Sequence, residues 1–127
     1  MTTTLLKTQL VNKKSFIPYI TFGDPTIKET ESIALACASA GADVIEIGIP
    51  FSDPMADGPI IQEANKLALS SNLSTQQSLN LIKELSKSKN NTSFVIMCYL
   101  NTVRKFGVDK FIKSIKNIVD GIIIVDL

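Results

Sequence analysis

A chain of 127 residues, 45% of them apolar and 20% charged, fits one ordinary globular domain. That apolar content excludes intrinsic disorder, and a net charge of +1 directs no strong field at nucleic acid or an anionic membrane. The chain has no histidine, which removes Ser-His-Asp triads, Cys-His dyads and histidine-ligated metals and leaves acid–base work to carboxylates, lysine or tyrosine.

No apolar run approaches the roughly 18 residues of a membrane-spanning helix. Residues 1–7 carry neither a sustained apolar core nor a small-residue cleavage site, so a cytoplasmic protein is expected. Cys37 and Cys98 stand alone in apolar segments and form no CxxC pair, which suits buried, inert thiols.

In chain order, residues 2–12 can form a short amphipathic helix through Leu5, Leu6, Leu10 and Val11. Phe16–Phe22 is β-branched and aromatic and reads as a strand, with Pro18 an awkward member because it cannot donate to a ladder. Thr26-x-x-Glu29 has the form of a capping box, opening a helix with Ile33, Cys37 and Ala40 at helical spacing and Gly41 at its end. A second strand spans Val44–Ile49, and the loop Pro50–Pro59 leads into a helix with Ile60, Ala64, Leu67 and Ala68 on one face. Ser74-x-x-Gln77 caps a helix carried by Leu81, Ile82 and Leu85, and Phe94–Leu100 is a third strand. Val108, Phe111, Ile112, Ile115 and Val119 predict one more helix, and Gly121–Val125 a fourth strand.

This βαβαβαβ alternation, with no linker or low-complexity stretch, implies a parallel sheet flanked by helices, and the apolar run Ile122–Val125 fits a strand covered on both faces. An open doubly wound sheet and part of a (β/α) barrel both remain. A closed barrel takes about 250 residues, so length alone favours the first.

Along Val44–Ile49, Ile45, Ile47 and Ile49 share the face expected to meet helices, and Glu46 shares the other with Val44 and Gly48. Glu46 can lie in water on a half-exposed strand. In a sheet covered on both faces it is desolvated, its pKa rises from about 4.3, and it becomes a general acid or base. Asp57 also has two readings: an N-cap ahead of Pro59, or a functional carboxylate on a proline-stiffened loop at the C-terminal end of a parallel strand. Asp24 and Asp126 sit just beyond strand ends, where turn or capping roles are expected. Tyr19 and Met97 point inward, as core or as the wall of an apolar pocket.

The segment Glu46-Ile47-Gly48-Ile49-Pro50-Phe51-Ser52-Asp53-Pro54-Met55-Ala56-Asp57-Gly58-Pro59-Ile60-Ile61-Gln62 closely resembles the signature of the tryptophan synthase alpha subunit family. Phe16–Pro25 is similar to that family's first strand and turn, Ala40–Asp43 to the approach to its second strand, and Met97–Asn101 and Gly121–Leu127 to its third and fourth strands. The resemblance implies a (β/α)8 TIM barrel of which residues 1–127, read as a single domain, make about the first four βα units. It implies a lyase that cleaves indole-3-glycerol phosphate to indole and glyceraldehyde 3-phosphate in tryptophan biosynthesis, with no metal or organic cofactor. By resemblance Glu46 is the acid–base group and Asp57 holds the indole N–H and stabilises the cation formed on C3 protonation. Tyr19, Met97 and Ile123 match positions that wall the indole pocket. Pro50, Phe51, Asp53, Pro54 and Asn101 match positions facing a beta subunit in an alpha2beta2 complex.

Tyr19 stands where the family commonly has phenylalanine, and Cys98 and Thr102 depart from its Thr-Tyr-x-Asn-Pro pattern. The larger departure is length. Such barrels build their phosphate site from loops after strands 7 and 8, so these 127 residues alone are expected to show little or no turnover, and the first and fourth strands to have open edges. Rival readings are a silent activator of a beta partner, a receiver-like doubly wound module, and another phosphate-binding barrel lyase or isomerase. Retention of Glu46 and Asp57 speaks against the first. The second lacks an acidic cluster after its first strand and a lysine after its last, and the Gly48–Gln62 match disfavours the third.

Overall fold

A strand with isoleucine at every second position buries one whole face, and this preference organises the molecule. In the computed structural model, which describes residues 6, 7, 10, 11, 13–88 and 91–127, Ile45 and Ile47 are fully buried and Ile49 nearly so. Each such side chain contributes about 1.5–3 kcal/mol by leaving water. They lie in strand β2 (Val44–Gly48) and just beyond it, between β1 (Tyr19–Thr21) and β3 (Ser93–Cys98), with β4 (Gly121–Ile124) outside β3. All pairings are parallel and the order is β1-β2-β3-β4, with Tyr19 opposite Glu46, Gly48 opposite Met97, and Met97 opposite Ile123.

Helices α1 (Ile27–Ser39), α2 (Pro59–Leu69), α3 (Thr75–Lys87), α4 (Leu100–Phe106) and α5 (Val108–Ile115) lie between the strands in sequence. Ala34, Leu79, Ile82, Leu85, Phe111 and Ile115 from the helices form one cluster with Ile20, Ile45, Ile47, Phe94, Ile96 and Cys98 from the sheet. The helices therefore cover one face, and the residues of opposite parity, Tyr19, Glu46, Gly48, Val95, Met97 and Ile123, line the other. Sequential strand order with a one-sided helical layer is the geometry of a barrel wall. A doubly wound sheet would reverse its order and carry helices on both faces.

Local signals act much as the sequence predicts at several helix ends. Thr26 Oγ1 accepts from the Glu29 N–H (3.2 Å), and Ser74 and Gln77 form a full reciprocal capping box. Gly41, at φ +93°, closes α1: its N–H reaches the Ala38 carbonyl, and the Ala42 N–H that of Cys37. Two aspartates repeat one device at strand entrances. Asp43 accepts from the Phe16 N–H (2.8 Å) and from Lys13 Nζ (2.5 Å), which together hold its carboxyl below the usual range. Asp120 Oδ2 accepts from the Phe94 N–H (2.9 Å).

Several expectations are corrected. Phe16–Pro18 is not strand, although it runs beside β2 and offers carbonyls to the N–H groups of Asp43 and Glu46, a one-sided pairing that suits Pro18. In α1 the buried face runs through Thr30, Ala34 and Cys37, leaving Ile33 and Ala40 exposed. In α2 Asn65 and Ala68 are buried, while Ile60 (84% exposed) and Leu67 point out. The helix expected through Val119 ends at Ile115, where Lys116 leaves the helical conformation (ψ 127°) and Asn117 follows left-handed (φ +64°), and the sequence reading does not include α4, which is ended by Gly107 at φ +98°. In β4, Ile122 and Ile123 are 37% and 43% exposed because this strand is an edge within the described residues, so it is not covered on both faces. Most of the amphipathic segment expected over 2–12 lies outside the described residues, and no helix among the described residues is long and apolar enough to cross a membrane.

Candidate active site

Glu46 occupies the middle of β2 on the face away from the helices, half-buried, with Tyr19 beside it on β1 and Val95 on β3. Burial alone raises its carboxyl above the ordinary carboxylate value. A recess of about 270 Å³ opens on this face, lined in part by Leu6, Leu10, Val44, Glu46, Val95 and Ile123. Met97 is half-buried on the same side, in register with Gly48 and Ile123. The strand positions read as inward-facing thus share one surface, with a carboxyl raised by burial in an otherwise apolar setting.

The loop after β2 brings Asp57 over the C-terminal ends of the strands. Asp57 does not cap α2: that position falls to Gly58, with Pro59 in the first turn, and the Asp57 carboxylate is free for another partner. Its Oδ2 accepts a hydrogen bond from the Tyr99 hydroxyl (2.9 Å), and the same hydroxyl accepts from the Ala56 N–H (3.1 Å). The Tyr99 ring stacks on Phe51, centroids 4.8 Å apart, so one side chain fastens both ends of the loop. Burial first, and the Asp57 bond second, push the Tyr99 phenol up to about 12, which keeps it a neutral donor. Asn65, buried in α2, completes the frame: its Oδ1 accepts from the Phe51 N–H (2.8 Å) and its Nδ2 donates to the Ile61 carbonyl (2.7 Å). Asp126, beyond β4, accepts from the Leu100 N–H (2.7 Å) and caps α4 across the sheet.

Glu46, Asp57 and Tyr19 fall in one neighbourhood, since both carboxylates act electrostatically on the Tyr19 phenol. The loop residues Phe51, Asp53 and Pro54 line an outer groove with Gln62, Glu63 and Lys66, and Pro50 precedes them half-buried. Asn101 is exposed in the first turn of α4. Cys98 is buried, its thiol raised to about 11 chiefly by that burial, and Cys37 is half-buried. Sequence reasoning did not single out Tyr99 or Asn65. Tyr99 shares the parity of Met97, two residues earlier, which was the available signal; Asn65 reads as an ordinary polar helix residue.

The family model of the tryptophan synthase alpha chain matches residues 5–127. The chain belongs to that family. Among proteins similar to it, the tryptophan synthase alpha chain of Methylibium petroleiphilum is 46% identical over 90% of this chain and 42% of its own length. That of Methylococcus capsulatus is 43% identical over 100% and 48%. The crystal structure of tryptophan synthase subunit alpha from Legionella pneumophila superposes with a TM-score of 0.89 at 40% identity, covering 99% of this chain and 49% of that one. A tryptophan synthase complex from Pyrococcus furiosus gives 0.82 at 41% identity, over 89% and 47%. The chain thus spans about half the length of these tryptophan synthase alpha relatives. Its four-stranded sheet is the first half of their (β/α)8 barrel.

Proposed function

We propose that the complete protein is a cytoplasmic lyase that cleaves indole-3-glycerol phosphate to indole and glyceraldehyde 3-phosphate. The observation that carries this reading is the placement of Glu46, its carboxyl raised by burial, on the concave face in the neighbourhood of the Tyr99-held Asp57. In this retro-aldol, a proton is delivered to indole C3, giving a cationic ring. Loss of the proton from the adjacent glycerol hydroxyl then lets the carbon–carbon bond break, its electrons restoring the ring while the oxygen becomes the aldehyde.

Glu46 is the group that gives and takes these protons, and burial, by raising its carboxyl, makes it a stronger base than a carboxylate in water. Asp57, fixed by Tyr99, holds the indole N–H and stabilises the positive ring, as a preorganised anion does best away from water. Tyr19, Met97 and Ile123 wall the ring. Pro50, Phe51, Asp53, Pro54 and Asn101 form the surface offered to a beta chain, in an alpha2beta2 assembly. The Pyrococcus relative is seen in a tryptophan synthase complex, which supports a partner of this kind. The phosphate site belongs to the half of the barrel beyond β4.

The test is release of indole from indole-3-glycerol phosphate. The complete protein is expected to produce it and its Glu46→Gln variant to lose it, while residues 1–127 alone give little or none. Retention of wild-type turnover by Glu46→Gln overturns the assignment, and near-normal turnover by the 127-residue monomer overturns the requirement for the second half.

A further inference from the structure

Tyr19 serves in the reading above only as a wall, yet its hydroxyl occupies a distinctive place. Tyr19 stands in register with Glu46 on the neighbouring strand, and its ring reaches along β2 to Gly48. β2 makes room for the ring at Gly48: a methyl group built there would lie 2.0 Å from the Tyr19 Oη and 2.7 Å from its Cζ. Only a residue without a side chain lets the phenol rest against the floor of the site. Thr21 lies two residues along the same strand face, and Asp57 and Glu46 are the charged groups that act on the hydroxyl. Burial, the largest influence, raises the phenol above its ordinary value of 10, so it keeps its proton at neutral pH and remains a donor.

A donor on the floor of a ring-binding site has consequences for selectivity. A plain aromatic ring laid over the hydroxyl strips its water and returns nothing, whereas a ring carrying an acceptor at its edge restores a hydrogen bond. We propose that the Tyr19 hydroxyl is a specificity-determining group that favours heteroaromatic ligands bearing a ring-edge acceptor over the unsubstituted ring. This rests on the ring-binding reading of the concave face, and names the ligand class within it.

Calorimetric titration of the complete protein with indole, the four hydroxyindoles substituted on the benzo ring and the corresponding azaindoles tests it. The wild type is expected to bind at least one acceptor-bearing ring with a Kd, relative to indole, about ten-fold more favourable than Tyr19→Phe does. Gly48→Ala, whose new methyl displaces the phenol while leaving Tyr19 in the chain, is expected to lower the same ratio. An unchanged ratio in both variants, or no ring bound by the wild type, overturns the proposal. A protein that binds the rings with this preference and yet releases no indole from indole-3-glycerol phosphate sinks the lyase reading alone and supports the role of Tyr19.

Discussion

Replacement of Tyr99 by phenylalanine isolates the contact that holds Asp57. The ring is 4% exposed and stacked on Phe51, and phenylalanine keeps both features, so the change removes an oxygen and little packing. That oxygen donates to Asp57 Oδ2 at 2.9 Å and accepts from the Ala56 N–H at 3.1 Å. Ala56 is exposed and its N–H can turn to water, so the second loss costs little. The first is a hydrogen bond to a carboxylate, of a kind worth about 1.5–3 kcal/mol. If Asp57 acts on the charge that develops on the ring, this loss falls on the transition state, and kcat/KM for indole release drops by roughly 10- to 150-fold. The bond is already formed in the unliganded fold, so stability falls by a comparable amount, about 1.5–3 kcal/mol, read from the denaturant midpoint. The phenol adds a pH signature. Its folded pKa of about 12 lies above the unfolded value of 10, so its stabilising contribution is complete below pH 10 and is lost as pH rises towards 12. Tyr99→Phe should therefore lose less stability than the wild type across that interval. A fall in kcat/KM of less than three-fold, in a variant that folds normally, refutes the positioning role.

Two further predictions follow from buried polar groups. Burial raises the Glu46 carboxyl, so its contribution to stability is present below the unfolded pKa of about 4.5 and lost as pH rises through the folded value. Glu46→Gln should accordingly melt at a higher temperature than the wild type at pH 7, with the difference closing near pH 4 in paired thermal scans. Asn65→Leu keeps the branched shape and heavy-atom count of the buried side chain but leaves the Phe51 N–H without its acceptor. It should cost about 1–3 kcal/mol in chemical denaturation, and equal midpoints would show that the loop does not depend on this strut.

Residue types and their spacing already contained the βα alternation, both side-chain-capped helix starts, the left-handed stop at Gly41 and the face on which Glu46 stands. These depend on neighbours in sequence, where backbone preference and a two-residue alternation are enough. The choice between barrel wall and doubly wound sheet was not local, since both are built from the same βα units, and strand order decided it. Helix faces were misjudged for a related reason. An apolar residue such as Ile60 can be left outside when the buried position is taken by Asn65, whose amide is required by a backbone group 14 residues away. The Tyr99–Asp57 bond spans 42 residues and the Asp126 cap on α4 spans 26. Contacts of this kind form only where two loops meet over the same strand ends, so tertiary structure alone could show what Asp57 does in place of capping a helix.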